Sequence, residues 1–300
     1  MNMEVTGNGL AGVMLRSGGQ MAFSGDGRQY LDVTENGSGR DGGVIVYGNS
    51  SLNITGMDIQ LNNNGNYGLQ VADGSTAYII SNDDIPNSIT ANGNKNSANS
   101  WTEGTGFAAQ GASKLVIQNM NVSANGNGRY GLSATDGGVI SVEGNGRTIL
   151  EVLQNVTSQD NPWAIGAGIV AKGINSAYQE LVSTINIIGM NLKVEGNDYY
   201  GIRATEGGAV NIAGTYDNHL NIAKNNSADG NMGHGIVADQ SSSAGTRSTI
   251  NIVDMNIRVE DQAYQGIAAR DGGLLNISST QGTHTLDVYN TRMATDRARI

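Results

Sequence analysis

The stretch MNVSANGNGRYGLSATDGG, residues 120–138, contains the pattern that predicts the fold of the whole chain. Its Asn127 lies three residues after the inward-type Ala124, and a glycine followed by an apolar residue comes next, at Gly131 and Leu132. The asparagine recurs 28 residues apart, or 28 plus an insertion, at Asn8, Asn36, Asn64, Asn94, Asn127, Asn155, Asn197 and Asn225, with Gln262 and Thr291 continuing the register. Such a period is typical of a solenoid, whose units bury their apolar faces against one another.

Each unit contains short stretches in which apolar and polar residues alternate, as in Val210-Asn211-Ile212. Alternation with β-branched residues indicates half-buried strands, and no segment has a helical period. We therefore predict an all-β chain that forms a right-handed parallel β-helix of about ten coils, with three strands per coil and a 28-residue basic repeat. The handedness follows from the preference for right-handed crossovers. The asparagines are expected to stack as a hydrogen-bonded ladder.

The coils alternate between two kinds. Odd coils begin with Met-Asn or Met-Asp, most have a tyrosine before the glycine (Tyr67, Tyr130, Tyr200), and most have an acidic turn after the second strand (Asp73, Asp136, Glu206, Asp271). Even coils carry the extra residues, at 37–42, 95–105, 156–167, 174–183, 226–234 and 240–248. Loop insertions in alternate coils, always at the same turns, predict projections from one side of the rod.

The composition limits the class of protein and its partners. We predict a single β-helix domain over residues 1–300, in which 44 glycines against 2 prolines suit many tight turns. A net charge of −10 argues against nucleic acid and anionic membranes as partners. No apolar run approaches the ~20 residues that span a bilayer, so we expect no direct membrane insertion of this segment. Because Met1 falls within a repeat, we expect a fragment of a longer protein.

The glycine- and asparagine-rich coils, the absence of cysteine and the Asp-Gly-Gly turns resemble the passenger of a Gram-negative autotransporter adhesin, within the pectate-lyase-like right-handed β-helix group. The resemblance implies a non-catalytic cell-surface rod that mediates adhesion, self-association or biofilm formation. It also implies an extracellular location, on the bacterial outer-membrane surface or secreted, and a host or bacterial surface glycan or protein as partner. A phage tail-spike segment is an alternative.

A polysaccharide-active β-helix enzyme is the other alternative, because such enzymes use carboxylates on the outward side of adjacent strands. The outward column of the third strands has no carboxylate. The outward column of the first strands has one adjacent acidic pair, Glu4 and Asp32, and the alternative to a catalytic role is that this pair is part of a solvated face. The acidic turns recur about 10 Å apart, too far for one metal ion. The three histidines fall in different coils. We therefore predict no catalytic residues, no metal site and no cofactor.

The candidate ligand-binding residues lie in the even-coil insertions. Trp101 and Trp163 occupy equivalent places two coils apart, roughly 10 Å along the rod. Glu103, Asp160 and Asn161 are near enough in sequence to bind polar groups of a saccharide or peptide that stacks on the two rings. Tryptophan is favoured at binding sites, and binding sites usually lie on loops that a rigid scaffold positions. The alternative is that each ring covers the apolar surface of its own insertion.

Overall fold

The computed structural model describes residues 2–37, 42–82, 86–95, 104–157, 166–173, 182–215, 217–227, 232–239 and 246–291. It confirms the predicted right-handed parallel β-helix, with all paired strands parallel and no helix among the described residues. The loop insertions of the even coils lie largely outside the described residues, so their predicted projection from one side stays a prediction.

Twenty-six strands follow one another along the described residues. Their bounds are β1 Met3–Thr6, β2 Val13–Leu15, β3 Gln20–Thr34, β4 Val44–Val46, β5 Ser51–Gln60, β6 Tyr67–Val71, β7 Thr76–Ile80, β8 Ser88–Thr90, β9 Thr105–Gln110, β10 Lys114–Gln118, β11 Asn121–Ser123, β12 Tyr130–Thr135, β13 Val139–Glu143, β14 Ile149–Leu153, β15 Ala167–Lys172, β16 Thr184–Ile188, β17 Asn191–Glu195, β18 Tyr200–Thr205, β19 Ala209–Ala213, β20 His219–Ala223, β21 His234–Asp239, β22 Thr249–Val253, β23 Asn256–Glu260, β24 Gln265–Arg270, β25 Leu274–Ser278 and β26 Leu286–Tyr289.

The first nine coils each contribute one strand to each of three faces, and the tenth contributes β26 to the first face among the described residues. The second strands form a nine-stranded sheet, β2-β4-β6-β9-β12-β15-β18-β21-β24, which we call the second sheet. The first and third strands join into one 17-stranded sheet, because β3 and β5 each run through both positions. We call its two faces the first and third sheets. The predicted register holds across insertions: Val5 pairs with Val33, and Val152 pairs with Val194 although 42 residues separate them.

Identical inward positions stack into one hydrophobic core that runs through the coils. Leu132 pairs with Phe107 on one side and Ile169 on the other, and all three side chains are fully buried. Because each inward residue packs between the equivalents of neighbouring coils, a narrow interior excludes water with modest apolar content.

The asparagines form a continuous ladder. From Asn8 to Asn197, each backbone N–H donates to the side-chain Oδ1 of the next asparagine at 2.9–3.1 Å. The ladder ends where Asn225 donates to Oε1 of Gln262 at 3.2 Å. All but Asn8 are at most 1% exposed. The ladder therefore provides buried acceptors for the backbone N–H groups at this turn, which lie outside the paired strands.

The recurrent glycine lies against this ladder. A Cβ atom on Gly131 would come 2.3 Å from a methyl group of Val152, 2.8 Å from the Gly168 carbonyl oxygen and 3.1 Å from Asn155 Nδ2. Only a residue without a side chain fits there, which explains the glycine at the start of the second strands.

The Met-Asn start of the odd coils has its own structural reason. The side-chain Oδ1 of each such residue accepts the backbone N–H of the residue one coil later, at the corner between the third and first sheets. These pairs are Asn2 with Tyr30, Asp58 with Ser88, Asn121 with Ile149, Asn191 with His219 and Asn256 with Thr285, at 2.7–3.3 Å. Each odd coil is therefore coupled to the even coil that follows it.

Candidate ligand-binding face

The outer surface of the second sheet carries a column of residues that immediately precede the recurrent glycine. In register along the rod they are Tyr67, Thr105, Tyr130, Ala167, Tyr200, His234 and Gln265. The tyrosines come from odd coils and are about 10 Å apart. Small residues separate them, so the column alternates between large rings and gaps.

A groove of about 250 Å³ lies over the first gap. Tyr67 and Tyr130 form its walls, and Thr105 lies between them. Ser133 lies further along the strand of Tyr130, and Asp136 follows the end of that strand. The groove is further lined by Asn66, Gln110, Arg129, Thr135 and Lys172. Aromatic walls with a few hydroxyl, amide and charged groups are typical of small-ligand sites.

The charges of the groove are partly desolvated. Burial raises the pKa of Tyr67, against the hydrogen bond with Gln110, which lowers it. Burial also raises the pKa of Asp136, against the opposing charge of Lys172. Lys172 Nζ in turn lies 3.3 Å from a carboxylate oxygen of Glu206, one coil further on.

Arg129 differs from Lys172. Its guanidinium carbon lies 4.7 Å from the ring centroid of Tyr130, a cation–π contact. Its Nε is buried and has no hydrogen-bond partner among the described residues. A buried donor of a charged group without a partner is rare in proteins.

The second gap, over Ala167, is packed. Tyr200, Val170 and Val237 form a small buried cluster with Ala167 on the outer face of the sheet. His234 stacks on Tyr200, with ring centroids 5.0 Å apart, and Tyr264 meets the histidine edge-on at 5.1 Å. Burial, together with the charges of Arg270 and Arg203, lowers the pKa of His234 to about 4, so the ring is neutral at pH 7.

An ion-pair network covers this cluster across three coils. Arg203 donates Nε and Nη2 to the two carboxylate oxygens of Asp239 at 3.3 and 3.0 Å, and Arg270 donates Nη2 at 3.1 Å. Arg270 Nη2 also donates to the Tyr200 hydroxyl at 3.1 Å. Burial opposes ionisation of Asp239, but the charge of Arg203 and the hydrogen bonds outweigh it and lower the pKa of the carboxyl.

The third sheet carries a second asparagine ladder, which is partly exposed. Asn211 donates Nδ2 to Oδ1 of Asn186 at 2.9 Å, Asn251 donates to Asn211 at 2.8 Å, and Asn276 donates to Asn251 at 2.8 Å. These asparagines occupy outward positions of the third strands, and the structure shows that their amides are linked.

The residues predicted to bind ligand, Trp101, Glu103, Asp160, Asn161 and Trp163, all lie outside the described residues. The structure therefore leaves that hypothesis as a prediction. The segments that contain them end directly before Gly104 and Gly166, and the next residues, Thr105 and Ala167, floor the two gaps of the second sheet.

Glu4 and Asp32 are neighbours in register on the first sheet. The Tyr30 hydroxyl donates to Glu4 Oε1 at 2.8 Å, and this hydrogen bond raises the pKa of Tyr30. Oδ1 of Asp32 is buried without a partner among the described residues.

The acidic turn residues Asp73, Asp136, Glu206 and Asp271 all have φ between 50° and 54°, the left-handed conformation that aspartate tolerates in turns. In the described part of the chain, no three His, Asp or Glu side chains are placed to hold a metal ion. That part also contains no helix long and apolar enough to cross a membrane.

Searches of protein-family models, curated protein sequences and solved structures found no match to this chain. The groove residues were missed from sequence because the outward columns considered were those of the first and third strands. The tyrosine that precedes the glycine in odd coils was the available signal, since Tyr67 and Tyr130 form the groove walls.

Proposed function

We propose that the chain is a non-catalytic cell-surface adhesin rod, displayed on the outer-membrane surface or secreted, which mediates adhesion, self-association or biofilm formation. The observation that carries the proposal is the groove between Tyr67 and Tyr130 on a rigid stack of coils. A groove built on paired strands is preorganised, so little conformational entropy is lost on binding.

The chemistry of the groove suits a surface saccharide. Tyrosine rings offer flat apolar contact, while Thr105, Ser133 and Gln110 offer hydrogen bonds to hydroxyl groups. Such groups bind and orient a ligand without transferring a proton.

The test compares two tyrosines. Tyr130→Ala removes a groove wall, and Tyr78→Ala removes a matched tyrosine on the third sheet, which also has a cation near its ring, Lys114 at 5.9 Å. Adhesion of beads coated with each variant is measured on cells and on a glycan array, with melting temperatures as a folding control. The proposal requires Tyr130→Ala to lose adhesion and Tyr78→Ala to keep it. Equal adhesion of both variants and wild type would contradict it.

The acidic pair on the first sheet favours the second candidate, a polysaccharide-active enzyme. Glu4 and Asp32 pair directly in register, with Tyr30 hydrogen-bonded to one of them. Release of reducing ends from polysaccharides, abolished by Glu4→Gln, would support this activity and overturn the non-catalytic proposal.

A further inference from the structure

We propose that the groove recognises a saccharide that carries a single anionic group, a carboxylate or a sulfate, and that Arg129 pairs with that group. This inference rests on the proposed function and names the ligand class of the same groove.

The first argument is the pairing of the cations on the second sheet. Lys172, Arg203 and Arg270 each lie 3.0–3.3 Å from a carboxylate oxygen of this chain. Arg129 has no carboxylate partner among the described residues, and its Nε is buried without an acceptor. A ligand anion would supply the missing acceptor, and guanidinium groups bind carboxylates and sulfates with paired hydrogen bonds.

The second argument is that Arg129 is held in place. Its backbone N–H donates to the Gly104 carbonyl at 2.8 Å, and its own carbonyl accepts from Ala167 at 3.1 Å. The side chain stacks on Tyr130 at 4.7 Å. Few of its rotamers remain to be lost on binding, so a ligand contact there gains more than at a mobile surface arginine.

The third argument concerns the number of charges. Arg129 and Asp136 lie at opposite ends of β12, about 20 Å apart along the strand, so a bound chain runs across the rod. At the far end Asp136 and Glu206 outnumber the one cation, Lys172, so that end repels an anion, and the Asp136 carboxylate accepts hydrogen bonds from hydroxyls. The groove therefore favours a ligand with one anionic sugar at the Arg129 end and neutral sugars beyond it, over a uniformly charged polymer.

The test uses three probes of matched size: a disaccharide with one uronic acid and one neutral sugar, the same disaccharide with a sulfate as its single charge, and a neutral disaccharide. Calorimetry measures their affinities for wild type, Arg129→Gln, Arg129→Lys and the control Arg147→Gln. Arg147 is exposed in a turn of another face, and its replacement changes the net charge equally. Melting temperatures show whether each variant folds.

The expected result is that Arg129→Gln weakens binding of a singly charged probe roughly tenfold or more, while the neutral probe is unaffected. Arg129→Lys should restore part of the affinity, and Arg147→Gln should have no effect. Whichever charged probe responds more strongly assigns the anion as carboxylate or sulfate.

Two outcomes would overturn the inference. If all three probes bind with equal affinity and Arg129→Gln changes none of these affinities, the groove does not distinguish charged from neutral ligands. Loss of adhesion in Tyr130→Ala would then still support the proposed function. If Arg129→Gln and Glu103→Gln lower the melting temperature equally and affinities stay unchanged, Arg129 serves a carboxylate of its own chain.

Discussion

The two gaps in the tyrosine column of the second sheet are built from the same repeat, but one is open and the other is filled. Between Tyr67 and Tyr130 the gap over Thr105 is an open groove, whereas the gap over Ala167 is packed by Tyr200 and its neighbours. His234 stacks on the other side of Tyr200, and Arg203 and Arg270 of the ion-pair network with Asp239 contact the same tyrosine. The repeat places equivalent residues in every coil. Side chains from neighbouring coils determine whether the gap between two tyrosines stays open as a groove or is filled.

The largest expected effect comes from breaking the network over the packed region. Asp239→Asn leaves two guanidinium groups without their carboxylate, and its side chain is only 6% exposed. We expect a loss of about 3 kcal/mol in the free energy of unfolding, measured by urea denaturation. Asp136→Asn in the groove is the control and should cost about 0.5 kcal/mol or less. Equal losses at both sites would remove the energetic distinction between the two regions.

The packed region should also make stability pH-dependent. The pKa of His234 is about 4 in the folded chain, against about 6.5 in an unfolded chain. Between these values the unfolded state binds more protons, so stability is fully present above pH 6.5 and falls as the pH drops towards 4. We expect a loss of about 2 kcal/mol from pH 7 to pH 5.

Urea denaturation at the two pH values measures this loss in wild type and in His234→Phe, where it should largely disappear. His219→Gln, at an exposed histidine, should retain the wild-type dependence. A pH dependence that survives in His234→Phe would show that the packed ring is not its source.

The buried asparagine ladder runs beneath both regions. Removing one of its side chains should therefore lower the free energy of unfolding by a similar amount in either region. Asn94→Ala and Asn197→Ala each remove side-chain hydrogen bonds with both neighbouring asparagines, at 2.8–3.0 Å. Each should cost on the order of 1–3 kcal/mol in urea denaturation. Asn8→Ala, at an exposed position with hydrogen bonds to one neighbour, should cost less. As much destabilisation at Asn8 as at Asn94 would count against a cooperative stack.

The smallest effect is expected on the third sheet. Asn211→Ala removes two side-chain hydrogen bonds, but the amides are partly exposed and water replaces them. The loss should be about 0.5 kcal/mol in the same assay. A loss as large as that of Asn197→Ala would mean that burial does not set the strength of these ladders.

The fold was predictable because every coil repeats the same local sequence pattern. The alternation in β-strands and the position of Asn127 three residues after Ala124 both recur, and in-register stacking turns that recurrence into a core and a ladder. The coupling of odd and even coils was visible as the Met-Asn signature, although its hydrogen bonds were not.

The groove was not predictable in the same way. Tyr67, Tyr130 and Tyr200 look equivalent in sequence, yet Tyr200 is 7% exposed and stacked by a histidine 34 positions later. Whether a tyrosine is covered depends on residues in other coils whose contacts the repeat does not encode. Tryptophan content drew attention to the insertions instead, to residues such as Trp101 and Trp163.

The buried ladder also has a direction. From Asn8 to Asn225, the backbone N–H groups all donate towards the C-terminal coils, and the acceptor oxygens all face the N-terminal ones. Aligned amides add their dipoles, as in an α-helix, whereas β-sheets contribute little net dipole. The exposed ladder runs the other way, but only from Asn276 to Asn186. The buried ladder therefore gives the stack of coils a dipole along its axis, with partial negative charge towards the first coils.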